Sequence, residues 1–353
     1  MPLHCSLIED PNYFETISKD WDSLVESNRH LDAFSLCGFS RAWWKAYGKN
    51  KKLRLLIIKD EQKIRLIAPF YCELSEPSVW RLIGHFRADY NNAIFDFADT
   101  EVLEHFFSWM NDKTGWGKIF LRRIPEESPL SSPLLLKKYS QNRRGLEKGF
   151  FWRSRLRVSH QWKTEHSSVC EEAFKNLEKL TQHRHYRKHI NWFEQNGSLE
   201  YHCLNESEFI RGYLSDFMAL HVREWERKGG ESLFSKDENK FFYKYLLEEL
   251  KNNHVLRFDC LVWNQKIVAA HFGFEWKNKI YYYKPCYDHS VEEHSPGRIL
   301  LAYIIADSVQ KGFVEMDFLL GVEEYKKKYT SHVRKTASLE FSKGNQFFNF
   351  KIC

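Results

Sequence analysis

Leu256–Trp276 reads LRFDCLVWNQKIVAAHFGFEW. An apolar run meets the polar pair Asn264-Gln265 and gives way to a second apolar run. β-Branched and aromatic residues on both sides of turn formers are the signature of a β-hairpin. The same shape stands 203 residues earlier, where Leu53–Glu73 reads LRLLIIKDEQKIRLIAPFYCE around Asp60-Glu61-Gln62. Five of the 21 aligned positions are identical: the leading Leu and Arg and the central Gln, Lys and Ile. Two such hairpins point to a duplicated α/β unit of about 150 residues, and a length of 353 suits two copies.

The composition agrees. Hydrophobic residues make up 43% and charged residues 28%, with 28 Phe, 17 Tyr and 12 Trp for cores, so disordered and collagen-like classes are excluded. Lys and Arg number 53 against 47 Asp and Glu, interspersed along the chain. A net charge of +6 permits an anionic ligand without demanding nucleic acid. The eight cysteines form no C-x-x-C pair, so zinc and redox motifs have no support. Met1–Asp10 has neither a basic nor an apolar leader region, and no apolar run reaches membrane-spanning length. The expectation is a soluble, cytoplasmic protein.

Working outward from the hairpins, Phe14, Ile17, Trp21 and Leu24 recur at helical spacing, and a second helix carries Trp43, Trp44 and Tyr47 up to Gly48. Short strands are expected at Arg81–Gly84, Asn92–Phe97 and Lys118–Leu121, with a helix over Val102–Met110. In the later half, Ser168-Val-Cys-Glu171 reads as a capping box opening a helix with Phe174, Leu177 and Leu180 on one side, ending at Gly197. Phe209–Arg227 reads as a helix stopped by Gly229-Gly230, and Ser235–Glu238 as a second capping box. A meander of Val255–Trp263, Lys266–Trp276 and Lys279–Cys286 leads to a helix from Ser295 to Gly312. Strand Val314–Leu319, a short helix over Glu323–Tyr329 and a strand at Ala337–Phe341 complete the chain. The expected fold is α/β (α+β), with tandem mixed sheets flanked by helices. The prolines and the basic stretch Gln141–Lys148 put the boundary within 125–165. Residues 1–150 form the first domain, structural or acceptor-side, and 151–353 the second, carrying the active site.

Two segments hold the chemistry. In the first, a strand runs through a loop into Ser295-Pro296-Gly297-Arg298. Pro suits a first helical position, Gly admits a ligand close to the backbone, and a helix start offers donors and a positive dipole end to a phosphate. Arg298 can add a bidentate contact. An ordinary Pro-capped helix reads the same way. In the second, an apolar strand reaches Gly321 and then Tyr325-Lys326. A phenol there can give a proton to a leaving thiolate. Equally, Tyr325 can be a plain amphipathic-helix residue and Lys326–Lys328 a solvated face.

The order strand–turn–strand–strand, helix start, strand–Gly–helix–strand is that of the GNAT acyltransferase fold. Asp317-Phe-Leu-Leu-Gly321-x-Glu323-x-Tyr325-Lys326, preceded by Tyr287-Asp288 and Ser295-Pro296-Gly297, resembles the FemAB-like branch of that superfamily, and within it the CelD/BcsL-type acetyltransferases. The resemblance is strongest over about 170–330. It extends loosely to the first half through Trp21, Phe34, Trp43-Trp44, Arg81–Gly84 and Asp89-Tyr90. It departs at Val322, where the family commonly has Asp.

The resemblance implies tandem GNAT-like domains and an acyl-CoA, such as acetyl-CoA, as co-substrate with no metal. The acceptor would be an amine or hydroxyl of a polysaccharide precursor, envelope component, peptide or small metabolite. It implies a donor-side set of Tyr283, Ser295, Pro296, Gly297, Arg298 and Gly321, with Tyr325 and Lys326 near the reacting centre. For such a reaction His271 is the favoured general base, with Asp288 and Asp317 as alternative bases or orienters, and a hydrogen-bonded core histidine is the competing reading. Backbone N–H groups of the strand Ile267–Phe274 would hold the oxyanion. FemAB proteins proper carry a long helical arm that grips tRNA. No such pair of long charged helices is visible here, which favours a small thioester over aminoacyl-tRNA.

His185 and His189 stand i, i+4 in a basic run, without acidic or Cys partners at metal-ligand spacing. They suit an anionic acceptor or a solvated face. His221, Arg223 and Trp225 share a helix and can line an acceptor cleft. No P-loop, Rossmann fingerprint, G-x-S-x-G or H-E-x-x-H is present. Three functions follow: an acyl-CoA-dependent acyltransferase, an aminoacyl-tRNA-dependent transferase, or a GNAT-like pair that binds a sugar or peptide without turnover.

Overall fold

The computed structural model describes residues 2–61, 63–112, 115–132, 154–157, 164–169, 179–321, 323–330 and 332–343. Glu171, Phe174, Leu177, the stretch Gln141–Lys148, Val322, Cys170 and Cys353 lie outside the described residues. The chain divides into two compact units rather than at one point near 150. The first is Met1–Ser40, Gly48–Thr164 and Lys335–Cys353; the second is Arg41–Tyr47 and Glu165–Arg334.

In the first unit, β1 (His4–Ile8) precedes α1 (Tyr13–Ser27), and α2 (Cys37–Tyr47) begins before passing to the second unit. Phe14, Ile17, Trp21 and Leu24 are all buried along one stripe of α1, as their spacing requires. β2 (Lys51–Lys59) and β3 (Ile64–Glu73) form the first hairpin. β4 (Val79–Leu82), the short β5 (Ile94–Phe95), α3 (Thr100–Asp112), β6 (Lys118–Pro125) and β7 (Ser154–Arg157) follow. The sheet order is β1-β2-β3-β4-β6, with β4 and β6 parallel. α3 covers one face through Phe106 and Phe107, packed with Leu66, Phe70, Trp80 and Ile119. Each such side chain contributes about 1.5–3 kcal/mol by leaving water.

The second unit repeats the plan. β8 (Thr164–Val169) and α4 (Arg184–Gln195) lead to β9 (Leu199–Leu204), α5 (Ser207–Arg227) and α6 (Asp237–Glu249). β10 (Leu256–Trp263) and β11 (Lys266–Trp276) are the second hairpin. Asn264 and Gln265 both have positive φ, 47° and 64°, the primed turn that a two-residue hairpin needs. β12 (Lys279–Tyr287), α7 (Pro296–Gln310) and β13 (Glu315–Leu320) complete it, in the order β9-β10-β11-β12-β13-β8, with β12 and β13 parallel. Helices cover both faces: Phe217 of α5 meets Phe258 and Phe272 on one, while Ile299 and Ile304 of α7 pack with Leu261 and Ile280 on the other. The last strand, β14 (Val333–Lys343), pairs antiparallel with β6 and so completes the first unit.

Ser168 sits in β8, paired with Asp317; the helix read after it over residues 170–178 lies outside the described residues, and the next described helix, α4, starts at Arg184. Two local expectations change. Ser235 ends a 3-10 turn that Ser232 caps through the Phe234 N–H, and α6 starts after Lys236 with no side-chain cap. The helix expected over 323–329 is one 3-10 turn, Lys326–Lys328.

Candidate active site

β12 has two different edges. Toward β11, Phe272 faces Lys284 and Phe274 faces Tyr281, so Tyr282 and Tyr283 stand opposite the single Gly273. This is a β-bulge, which bends the strand. A Cβ on Gly273 would fall against the His271 ring and the Tyr281 carbonyl, so only Gly fits there. Toward β13, the parallel pairing covers only Lys279–Tyr281 against Glu315–Asp317. Beyond it the strands part, and the exposed Pro285, which has no N–H to offer a ladder, lies on the freed stretch. β13 turns away at Leu319, with φ 58°, its N–H held by Asp317 Oδ1 at 2.8 Å. The expected oxyanion strand is therefore corrected. β11 is laddered to β10 and β12, and the strand bordering the opening is β12.

β12 runs on to Asp288, whose Oδ1 accepts the Ser290 N–H at 2.8 Å and caps a 3-10 turn, His289–His294. Ser295 is left-handed (φ 53°, ψ 49°), and α7 begins at Pro296. The Ser295 side chain makes no cap bond, and the first turn holds no acidic residue. Pro296 has no N–H, and those of Arg298 and Ile299 donate to Ser295 O at 3.0 and 3.1 Å, so Gly297 supplies the donor that this first turn offers at the positive dipole end. A Cβ on Gly297 would lie 3.2 Å from Tyr287 Cδ1, so this turn faces the end of β12. Imidazoles gather beside it: the His189 ring centroid is 5.2 Å from that of His185 and 6.4 Å from that of His294, which stacks on Trp192 at 3.5 Å. Burial, and then the positive neighbours His185, Lys188, His294 and Arg298, hold His189 below the usual histidine range. Among the described residues no group of side chains is arranged to hold a metal ion.

Tyr325 is half-buried, its ring 6.4 Å from that of Phe318. Burial, aided by Glu323, pushes its phenol well above the ordinary range, so it keeps its proton. Lys326 is only 2% exposed. Its Nζ donates to Leu320 O at 2.8 Å and Gly321 O at 3.3 Å, and pairs with Glu323 at 2.7 Å, so the ammonium ties the loop rather than facing a substrate. Gly321 has φ 102° and no room for a Cβ beside Glu323. Asp317 is buried with Oδ2 on Arg334 at 3.2 Å, a carboxylate already spoken for on both oxygens. Asp288 serves as a cap. His271 is fully buried: Nδ1 lies 3.0 Å from Asp259 Oδ2, and Nε2 accepts the Tyr283 N–H at 3.2 Å. That geometry does not match the expected base, because no nitrogen is left to take a substrate proton. Tyr283 is buried, with Lys284 Nζ 3.9 Å over its ring.

The far side of β12 belongs to α5. His221 and Glu224 are buried there, while Arg223 is exposed and Trp225 is 41% exposed. Glu224 Oε2 accepts the Tyr287 N–H at 3.1 Å, and Oε1 pairs with Lys228 at 2.5 Å. His221 Nδ1 lies 2.8 Å from Ser232 Oγ, and burial, with Lys284 nearby, pushes its imidazole down to about 4. Sequence reasoning took Arg223 and Trp225 and missed Glu224. The signal was present: Phe217, His221 and Glu224 fall on one helical stripe.

The parted strands and the uncapped helix start both lie within residues 181–327, which match the acetyltransferase (GNAT) domain family. Residues 181–327 are a GNAT acyltransferase domain. No curated protein matches the chain by sequence. Among solved structures, FemX superposes with TM-score 0.63 at 10% identity, over 92% of this chain and 95% of that one. The C-terminal domain of a putative lysylphosphatidylglycerol synthetase from Agrobacterium fabrum gives 0.56 at 12%, over 93% and 92%. L-PGS from Bacillus licheniformis gives 0.55 at 12%, over 96% and 93%. These likenesses establish the fold. With the shared strand order of the two units, the chain is a tandem of GNAT-like units. No described helix is long and apolar enough to cross a membrane.

Proposed function

We propose that the second GNAT-like unit moves an acyl group, acetyl in the simplest case, from an acyl-CoA to an amine or hydroxyl acceptor. The observation that carries this reading is the end of the β12–β13 pairing at Tyr281, with the uncapped first turn of α7 lying against Tyr287 further along β12. An extended thioester arm lies along the freed edge of β12, its diphosphate on the Pro296-Gly297-Arg298 turn. The acceptor comes from the α5 side, where Glu224, anchored on the Tyr287 N–H and Lys228, orients it, and the proton it loses on attack passes to water. Its nitrogen or oxygen attacks the carbonyl carbon, the C–S bond breaks, and Tyr325 gives its phenolic proton to the departing thiolate. The chain then sits in the FemAB-like branch, with polysaccharide precursors, envelope components, peptides or small metabolites as acceptors, as in a CelD/BcsL-type acetyltransferase. Titration calorimetry with acetyl-CoA is the direct test. Saturable one-to-one binding supports the reading, and no heat with acetyl-CoA or longer acyl-CoAs removes it.

A second reading has its own support. The exposed basic residues of α4, Arg184, Arg187 and Lys188, lie on the helix whose His189 flanks the α7 start. A larger anionic donor such as an aminoacyl-tRNA suits that surface, and a lysylphosphatidylglycerol synthetase is among the similar folds. Transfer activity abolished by RNase would select it over the first.

A further inference from the structure

The interior of the second unit holds a chain of charged and polar groups that no catalytic step uses. Arg257 is completely buried in β10. It donates from Nε and Nη2 to both oxygens of the equally buried Asp259, at 2.8 and 2.9 Å. It also reaches Glu275 of β11 and Asp307 of α7, each at 2.8 Å. Tyr201 of β9 donates to Asp259 Oδ1 at 2.7 Å. Asp259 Oδ2 is met by His271 Nδ1 at 3.0 Å, and His271 Nε2 accepts the backbone N–H of Tyr283 at 3.2 Å. Tyr283 is one of the two residues that make the bulge in β12, and the His271 ring stacks on the other, Tyr282, at 4.5 Å. Facing the ring across the bulge is Gly273.

A bulge takes a backbone N–H out of its ladder, and a buried N–H without an acceptor is costly. His271 supplies that acceptor. The donor on Tyr283 fixes Nε2 as the bare nitrogen, so the proton sits on Nδ1 and points at Asp259. Arg257 neutralises Asp259, and Asp307 ties the assembly to the helix whose first turn borders the opening.

We propose that His271 is a positioning residue: with Asp259 and Arg257 behind it, it pins the bulge that bends β12 away from β13 and so sets the donor cleft. The inference rests on the acyltransferase reading of that cleft. Burial favours the neutral ring and outweighs the pull of Asp259, so His271 stays below the usual histidine range. Burial opposes the charge on Asp259, but Arg257 and the His271 bond hold it ionised. The charged and titratable groups around the ring are then Asp259 and Arg257 from β10, Tyr201 from β9, Tyr282 from β12, Glu275 from β11 and Asp307 from α7.

The test has two arms. Nitrogen-15 NMR of histidine-labelled wild-type protein reads the ring directly. A fixed Nδ1–H tautomer from pH 8 to pH 5.5 is expected, and a His271 that titrates in this range overturns the proposal. In the second arm, His271→Gln and Gly273→Ala are compared with the peripheral Asp307→Asn, which keeps the buried core intact if the first two fail to fold. Donor Kd rises at least tenfold in the first two and about threefold in the third, while the pH profile of kcat keeps its wild-type shape. Loss of the acid limb of that profile in His271→Gln at unchanged donor Kd makes His271 the base and sinks the proposal. Wild-type protein that binds no acyl-CoA sinks the acyltransferase reading instead, and the ring tautomer still decides the role of His271.

Discussion

The two units build the same sheet and then treat the helix after the parallel crossover in opposite ways. In the first, Asp99 caps α3, its Oδ1 accepting the Val102 N–H at 3.0 Å, and Glu101 adds a second carboxylate to the first turn. Arg65 pins Asp99 from the side at 2.5 Å. In the second, Ser295 leaves α7 uncapped, with Pro, Gly and Arg in the first turn. A carboxylate in the cap satisfies the donors a phosphate would use and repels its charge. The strands differ too: β3 and β4 pair in unbroken register, while β11 and β12 carry the bulge. One copy caps its helix start and keeps its ladder where the other does neither, and for that reason acyl transfer is proposed in the second.

The strongest way to break this contrast is Gly297→Glu, which gives α7 the kind of acid that α3 already has. Donor affinity should fall about 100-fold, or about 2.7 kcal/mol, by calorimetry. Asp99→Ser should leave it unchanged, and unchanged affinity in Gly297→Glu would show the two helix starts to be equivalent.

Acid acts on both units: burial and then Arg122, Arg81 and Arg123 push His85 of the first down to about 3, and His221 gives the second its own share. His221, with its imidazole lowered to about 4, takes up its proton more readily unfolded than folded. The unfolded chain therefore binds more protons between about pH 6.5 and pH 4, and stability falls as pH falls through that window. The His221 share of the loss should be about 2 kcal/mol from pH 6.5 to pH 4.5, read from denaturant midpoints, and His221→Gln should remove that share while the share of His85 remains.

Tyr325→Phe sharpens the assignment of chemistry. It should lower kcat about tenfold at constant KM, a modest effect because a thiolate leaves readily without a proton. A change in KM alone would make Tyr325 a binding group. The smallest effect is expected from Asp99→Ala: about 1 kcal/mol of stability, seen as a lower Tm, with donor binding untouched.

Periodicity made part of this legible. The paired hairpins, the buried stripe of α1 and the helix start at Pro296 all follow from local pattern. Ser168 itself is recruited into a strand by β13, which a Ser-x-x-Glu spacing does not report; the helix read after it falls outside the described residues. Arg257 and Asp259 alternate with Leu256, Phe258 and Cys260, which reads as a half-solvated strand. Helices on both faces bury that strand, so the charges pair inside instead. Gly273 looked like any strand glycine, because a bulge depends on the partner strand. His271 was found, but its role depends on which atoms meet its two nitrogens, and spacing carries no trace of them.

β14 has a consequence for how the protein is made. β6 ends at Pro125, yet the strand beside it is missing until Val333–Lys343 leaves the ribosome. Until then β6 presents a bare edge while the whole second unit is being synthesised. Translation order thus leaves the sheet of the first unit incomplete until the second unit has been synthesised, and a nonsense codon between residues 335 and 343 would spare the second unit while truncating β14.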